Sequence, residues 1–157
     1  MDEETLVAIL IPLAFLVGFP LIWIGVCLLS SVLSGWRSLA SRYRATTPPA
    51  GQRISARFAL FGFARYRGIV TAHVSPEGLR LSVLKIFPGH VPLFFPWSDL
   101  HDIRAFQPRN GPPGASFRVG PVSDQDSRTI YLPAAVFEQP EVPSAIRAAV
   151  SPQARTA

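Results

Sequence analysis

No charged side chain occurs between Thr5 and Trp36 of this 157-residue chain. The densest part of that run, Leu6 to Gly25, holds thirteen Leu, Ile, Val or Phe in twenty positions. At about −0.3 to −0.6 kcal/mol each, these side chains contribute roughly −4 to −8 kcal/mol toward insertion into a bilayer. Pro12, Gly18, Pro20 and Gly25 offset part of that. About twenty apolar residues cross a hydrocarbon core of roughly 30 Å, so residues 6–33 are predicted to form a transmembrane helix. The uncharged stretch is about 48 Å long if fully helical. The surplus predicts tilt, a kink near Pro20, or an interfacial continuation through Ser30, Ser31 and Ser34. A buried core helix is the weaker alternative, because the rest of the chain is too small to wrap a helix that is apolar all round. A cleaved signal peptide needs a basic leader and an apolar core of roughly 7–15 residues. Here Met1-Asp2-Glu3-Glu4 precede a longer run, and the expectation is an uncleaved anchor.

Charge on the two flanks predicts orientation. Arg37, Arg42, Arg44, Arg53 and Arg57 follow the run and no Lys or Arg precedes it. The positive-inside rule then places residues 1–5 outside and the rest in the cytoplasm, as a single-pass protein of a bacterial inner membrane. Of the 10 acidic residues only Asp2, Glu3 and Glu4 lie before Arg37, so the remainder carries 15 basic against 7 acidic groups, a net +8. Cys27 is the only cysteine, which excludes an intrachain disulfide. Ala14 and Gly18 form a small-xxx-small pair open to self-association, although lipid-facing packing is the preferred expectation for so common a motif.

Residues 34–44 read as a juxtamembrane amphipathic helix. Trp36, Leu39, Ala40 and Tyr43 fall at i, i+3, i+4 and i+7. Trp and Tyr favour the headgroup level and Arg side chains reach phosphates. Trp36, Arg37, Arg42, Tyr43 and Arg44 are therefore predicted at the membrane interface, with packing of Trp36 and Tyr43 on the following domain as the alternative. Residues 45–53 form a linker marked by Pro48-Pro49 and Gly51.

From Ile54 the apolar period changes to two, and residues 54–150 are predicted as a small mainly-β domain. Ile54, Ala56, Phe58 and Leu60 alternate with Ser55, Arg57 and Ala59. Val70, Ala72 and Val74 share a face, as do Leu79, Leu81 and Val83. Ser75-Pro76-Glu77-Gly78 has the residues of a type I turn and predicts a hairpin. Further strands are expected at 91–95, 100–106, 116–119 and 128–132. A short amphipathic helix is expected around Val142, Ala145, Ile146 and Ala149, with Pro143 in its first turn. Residues 151–157 are expected to fray.

These strands with a closing helix resemble the pleckstrin-homology-like superfold, including its bacterial and GRAM-type versions. Phe95-Pro96-Trp97-Ser98-Asp99-Leu100 is similar to that group's apolar-Pro-Trp-x-x-Leu element. By that resemblance Pro96 and Trp97 are structural, with Trp97 packing the barrel between strands; Gly78 ends the preceding turn. GWRSLASRYR, SPEGLRLSVL and FPGHVPLFFPWSDL further resemble a group of small bacterial single-pass membrane proteins of unassigned function. The resemblance covers about half the chain, from Ser34 to about Phe106. The closing helix is shorter than the superfold's and carries Pro140 and Pro143. The superfold hosts lipid binders, peptide binders and scaffolds, so it does not fix a function.

Catalytic signatures are sparse. His73, His90 and His101 show no metal-ligand spacing, and neither GxGxxG nor GxxxxGK[ST] occurs. His90, in a turn, is read as bonding local backbone. Ser98, His101 and Asp102 do not form a triad, since adjacent strand residues face opposite ways and no oxyanion motif accompanies them. Arg57, Arg65, Arg67, Arg80 and Lys85 are candidates for one anion-binding patch, against the alternative of a solvated sheet face. The sequence pI of about 10.3 raises a nucleic-acid partner, but a membrane tether and the lack of aromatic-basic motifs argue against one. The expectation is a non-catalytic, cofactor-free interaction or scaffold module. Its partners are membrane lipids, a protein, or a second copy through the helix. The alternative is a binder of anionic headgroups at the inner membrane surface.

Overall fold

A computed structural model describes residues 2–120 and 128–151. It opens with α1, Glu3–Leu33, unbroken at Pro12 and Pro20. Its best 18-residue window has a mean hydropathy of 2.6, so α1 is long and apolar enough to cross a membrane. Gly35 then turns the chain with φ 78°, a left-handed conformation open to glycine at little cost. A side chain there would also meet Arg128 Nε at 2.8 Å.

After that turn comes α2, Trp36–Tyr43, whose apolar face is the predicted one. That face does not lie on a leaflet. Trp36 is 0% exposed, and its Nε1 donates to the Val91 carbonyl at 2.8 Å. The ring sits 4.6 Å from Phe61 and 6.0 Å from Tyr66, centroid to centroid. Leu39 joins the same core. The interfacial assignment of Trp36 is thereby corrected. A protein core satisfies both the indole surface and its N–H, whereas the headgroup layer covers only part of the ring. Tyr43 is half-buried, 5.2 Å from Phe95, and donates to Asp99 Oδ2 at 3.0 Å. It too packs on the domain.

Among the described residues seven strands follow: β1 Gln52–Phe61, β2 Ala64–Ser75, β3 Gly78–Val83, β4 Leu93–Pro96, β5 Leu100–Phe106, β6 Gly114–Val119 and β7 Arg128–Pro133. They form one curled antiparallel sheet in the order β4-β3-β2-β1-β7-β6-β5. The long strand β1 joins its two halves, pairing with β2 along most of its length and with β7 at Leu60 and Phe61. The β2–β3 hairpin has the expected turn, with Ser75 opposite Gly78. Val70, Ala72, Val74, Leu79, Leu81 and Val83 all enter the core, as their alternation predicts.

The alternation predicted for β1 holds only to Ala56. A register shift between Ala56 and Phe58 changes the strand's face, so Ala59 and Phe61 enter the core instead of Phe58 and Leu60. Phe58 is buried elsewhere, against the Tyr131 ring at 5.7 Å and beside Gly111.

The edges β4 and β5 are joined by a single turn of 3-10 helix, Trp97–Asp99. Trp97 is buried there, and its Nε1 donates to the Ser75 carbonyl at 2.9 Å. Gly78 leaves room for β4, since a Cβ would stand 2.4 Å from the Phe95 carbonyl oxygen. Helix α2 lies against β4. At the other end α3, Ala134–Phe137, and α4, Ser144–Val150, bring Val136, Phe137, Ile146 and Val150 into the core, α4 lying against β5. Helix α3 was not expected from the sequence.

Candidate functional site at the helix junction

The last three turns of α1 do not stand free of the sheet. Trp23, Cys27 and Ser31 recur every four residues and so share one helix face. Cys27 and Ser31 are buried. Trp23 Nε1 donates to the Ile86 carbonyl at 3.1 Å, and its ring lies 5.4 Å from Phe87. Gly89 approaches Leu28 and Ser31 so closely that a Cβ would meet them at 2.9 and 3.0 Å. The β3–β4 connection, residues 84–92, thus runs alongside α1.

Below this contact lies a buried polar chain. Tyr66 Oη donates to Ser34 Oγ at 3.1 Å and also lies 3.1 Å from His90 Nε2. His90 Nδ1 faces the Pro88 carbonyl at 3.4 Å. Burial pushes the His90 imidazole below its usual pKa range, against the opposing pull of the Pro88 and Phe87 carbonyls. Burial raises the Tyr66 phenol, and the bond to Ser34 works the other way. The local-backbone reading of His90 therefore holds, but the residue also ties the β3–β4 connection to β2. With Ser34, this chain fixes where α1 ends relative to the sheet.

Around the junction stand apolar side chains with no cover. Ile86 is 65% exposed and Leu84 47%, with exposed Lys85 between them. Phe63, at the tip of the β1–β2 turn, is 73% exposed. The neighbouring Gly62 lies beside the Ser34 carbonyl. Arg65, Arg37 and Arg128 are exposed on the adjoining segments.

The five candidate anion-binding residues do not form one patch. Arg65 and Arg67 are exposed on β2 opposite Leu60 and Phe58, and Arg57 is exposed at the register shift of β1. Lys85 belongs to the junction loop. Arg80 lies opposite His73, six residues along β2 from Arg67, about 20 Å at strand rise. It donates to the Thr47 carbonyl. Of the interface candidates, Arg37, Arg42 and Arg44 keep exposed side chains, and the Arg44 backbone bridges to Leu93.

The Ser98–His101–Asp102 set makes no relay. Ser98 Oγ donates to Asp99 Oδ1 at 2.9 Å, and Asp102 pairs with Arg118 at 3.7 Å. Among the described residues no group of three or more His, Cys, Asp or Glu stands together as a metal site would require.

The docked face of α1 was missed because the helix is apolar on every side and shows no period. A signal was nevertheless present: Cys27, Ser30, Ser31 and Ser34 are small residues at helical spacing, which permit close approach of another backbone. Comparison with protein-family models, curated proteins and solved structures finds no match to this chain.

Proposed function

We propose that the chain is a single-pass, membrane-anchored, non-catalytic interaction module whose β domain has a pleckstrin-homology-like fold and stands on the cytoplasmic side of a bacterial inner membrane. The observation that carries this reading is the docking of Trp23, Cys27, Ser31 and Ser34 onto the β3–β4 connection and β2. A leader peptide destined for removal has no need of such contacts, whereas an anchor that positions a domain does. Length agrees. From Leu6 to Trp23 is eighteen residues, about 27 Å of helix, close to the thickness of a hydrocarbon core. Trp23 then falls in the interfacial aromatic belt, and the last ten residues of α1, about 15 Å, run through the headgroup layer and beyond it beside the domain. The surplus helix is absorbed by this docking. The strand order and the Trp97 wedge support the superfold reading.

Intact-mass spectrometry and alkaline carbonate extraction of the expressed chain test the anchor. The reading expects full mass and retention in the membrane fraction. A mature form lacking the apolar run refutes it.

A second reading is favoured by the uncovered Phe63, Leu84 and Ile86 beside Lys85 and Arg65. Apolar tips flanked by cations suit an anionic leaflet, where each cation contributes about 1 kcal/mol. Hydrogen exchange in nanodiscs tests it. Residues 84–87 should be more protected with anionic than with neutral lipid, and equal protection overturns lipid-headgroup binding at this loop.

A further inference from the structure

Far along the sheet from the helix junction, the register sets three basic residues side by side. Arg53 of β1 is directly opposite His73 of β2, and His73 is directly opposite Arg80 of β3. Arg53 and Arg80 thus flank one imidazole on the same face of the sheet. His73 lies seven residues along β2 from Tyr66, the residue that touches α1, about 23 Å at strand rise. The row continues to Phe94 of β4. Beside it the linker crosses the sheet and leaves a cleft of about 290 Å³ lined by Thr47, Ser75, Glu77, Arg80 and Phe94. Glu77, in the β2–β3 turn, is the acid of that cleft and does not balance two guanidinium groups. Arg80 spends one N–H on the Thr47 carbonyl, out of the five a guanidinium offers. His73 Nδ1 is buried without a hydrogen-bond partner.

We infer that Arg53, His73 and Arg80 form a binding site for a phosphate-type anion on the face of the sheet beside the linker cleft. Two guanidinium groups flanking an imidazole supply charge-assisted donors to the oxygens of one tetrahedral anion. The site is separate from the junction loop and does not depend on the reading of that loop. His73 reports on its occupancy. Burial lowers the His73 pKa, and Arg53 and Arg80 lower it further. A bound anion offsets both cations and stabilises the imidazolium.

The test uses the full chain in neutral-lipid nanodiscs, with His73 followed by NMR as pH is varied. Inorganic phosphate is compared with chloride at equal ionic strength. With phosphate, the apparent His73 pKa should rise by about half a unit or more, and Arg53→Gln and Arg80→Gln should each reduce the rise. Arg53 is exposed, so its variant keeps the test informative should Arg80→Gln disturb the linker. A second arm replaces soluble phosphate by nanodiscs with anionic lipid. The site stands about 23 Å along the sheet from the junction, so a rise in this arm alone overturns the proposal. Identical His73 titrations in phosphate, chloride and anionic nanodiscs overturn the proposal, as does a rise unaffected by both substitutions.

Discussion

Replacing Trp36 with alanine separates a core role from an interfacial one. The indole is 0% exposed, packs on Phe61, Tyr66 and His90, and donates to the Val91 carbonyl. Large-to-small changes at such sites cost about 3–5 kcal/mol, because transfer free energy is lost and a cavity remains. That is a large part of the roughly 5–15 kcal/mol that holds a domain together. At about 4 °C per kcal/mol for a domain near this size, the melting temperature should fall by about 12–20 °C. Near-ultraviolet circular dichroism of the full chain in micelles reads the melt of the β domain while α1 stays helical. Ser38→Ala, on an exposed position of α2, serves as control and should change stability by no more than about 0.5 kcal/mol. If Trp36→Ala shifts the melt no more than Ser38→Ala does, the ring is not a core residue and the packing of α2 is wrong.

The remaining predictions concern the turn, the junction and a buried phenol. Gly78→Ala places a Cβ 2.4 Å from the Phe95 carbonyl oxygen and should cost about 1–3 kcal/mol, seen as faster amide exchange at Leu79 and Leu81. Tyr66→Phe removes the hydroxyl that joins Ser34 to His90 and should cost about 1–3 kcal/mol in the same thermal melt. Burial pushes the Tyr131 phenol up to about 12, above the ordinary value of about 10. Its folded pKa is the higher one, so its contribution to stability is complete below pH 10 and is lost as pH rises through about 12. Burial raises Tyr43 and Tyr66 as well, so absorbance near 295 nm should show all three tyrosines titrating late, with the step near 12 absent in Tyr131→Phe.

The parts of the fold that could be read from sequence share one property: a period unmistakable for its element. Leu79, Leu81 and Val83, and Val70, Ala72 and Val74, bury as alternation demands because β2 and β3 pair without interruption. The face of α2 was equally clear, yet its destination was not, since a Trp–Leu–Tyr stripe suits a leaflet and a protein core alike. The register shift at Ala56 was invisible because Phe58 and Leu60 are as apolar as the residues that replace them inside. The five basic candidates fell apart for a related reason. Residue type marks a cation, but only strand pairing brings Arg80 to His73 and Arg53 rather than to Arg65 and Arg67. The all-apolar α1 hid which of its faces meets the sheet.

The β3–β4 connection lies beside Trp23, and the proposed anchor puts both at the membrane interface. A spin label at Ile86→Cys, in a Cys27→Ala background and in lipid nanodiscs, tests this directly. A second label at Glu77→Cys, in the β2–β3 turn, provides the reference. Collision rates with oxygen and with a water-soluble nickel chelate report depth in the bilayer. The Ile86 label should show the oxygen-rich, nickel-poor signature of the interface, and the Glu77 label that of water. Nickel accessibility as high at Ile86 as at Glu77 would contradict the docking of the domain on the leaflet.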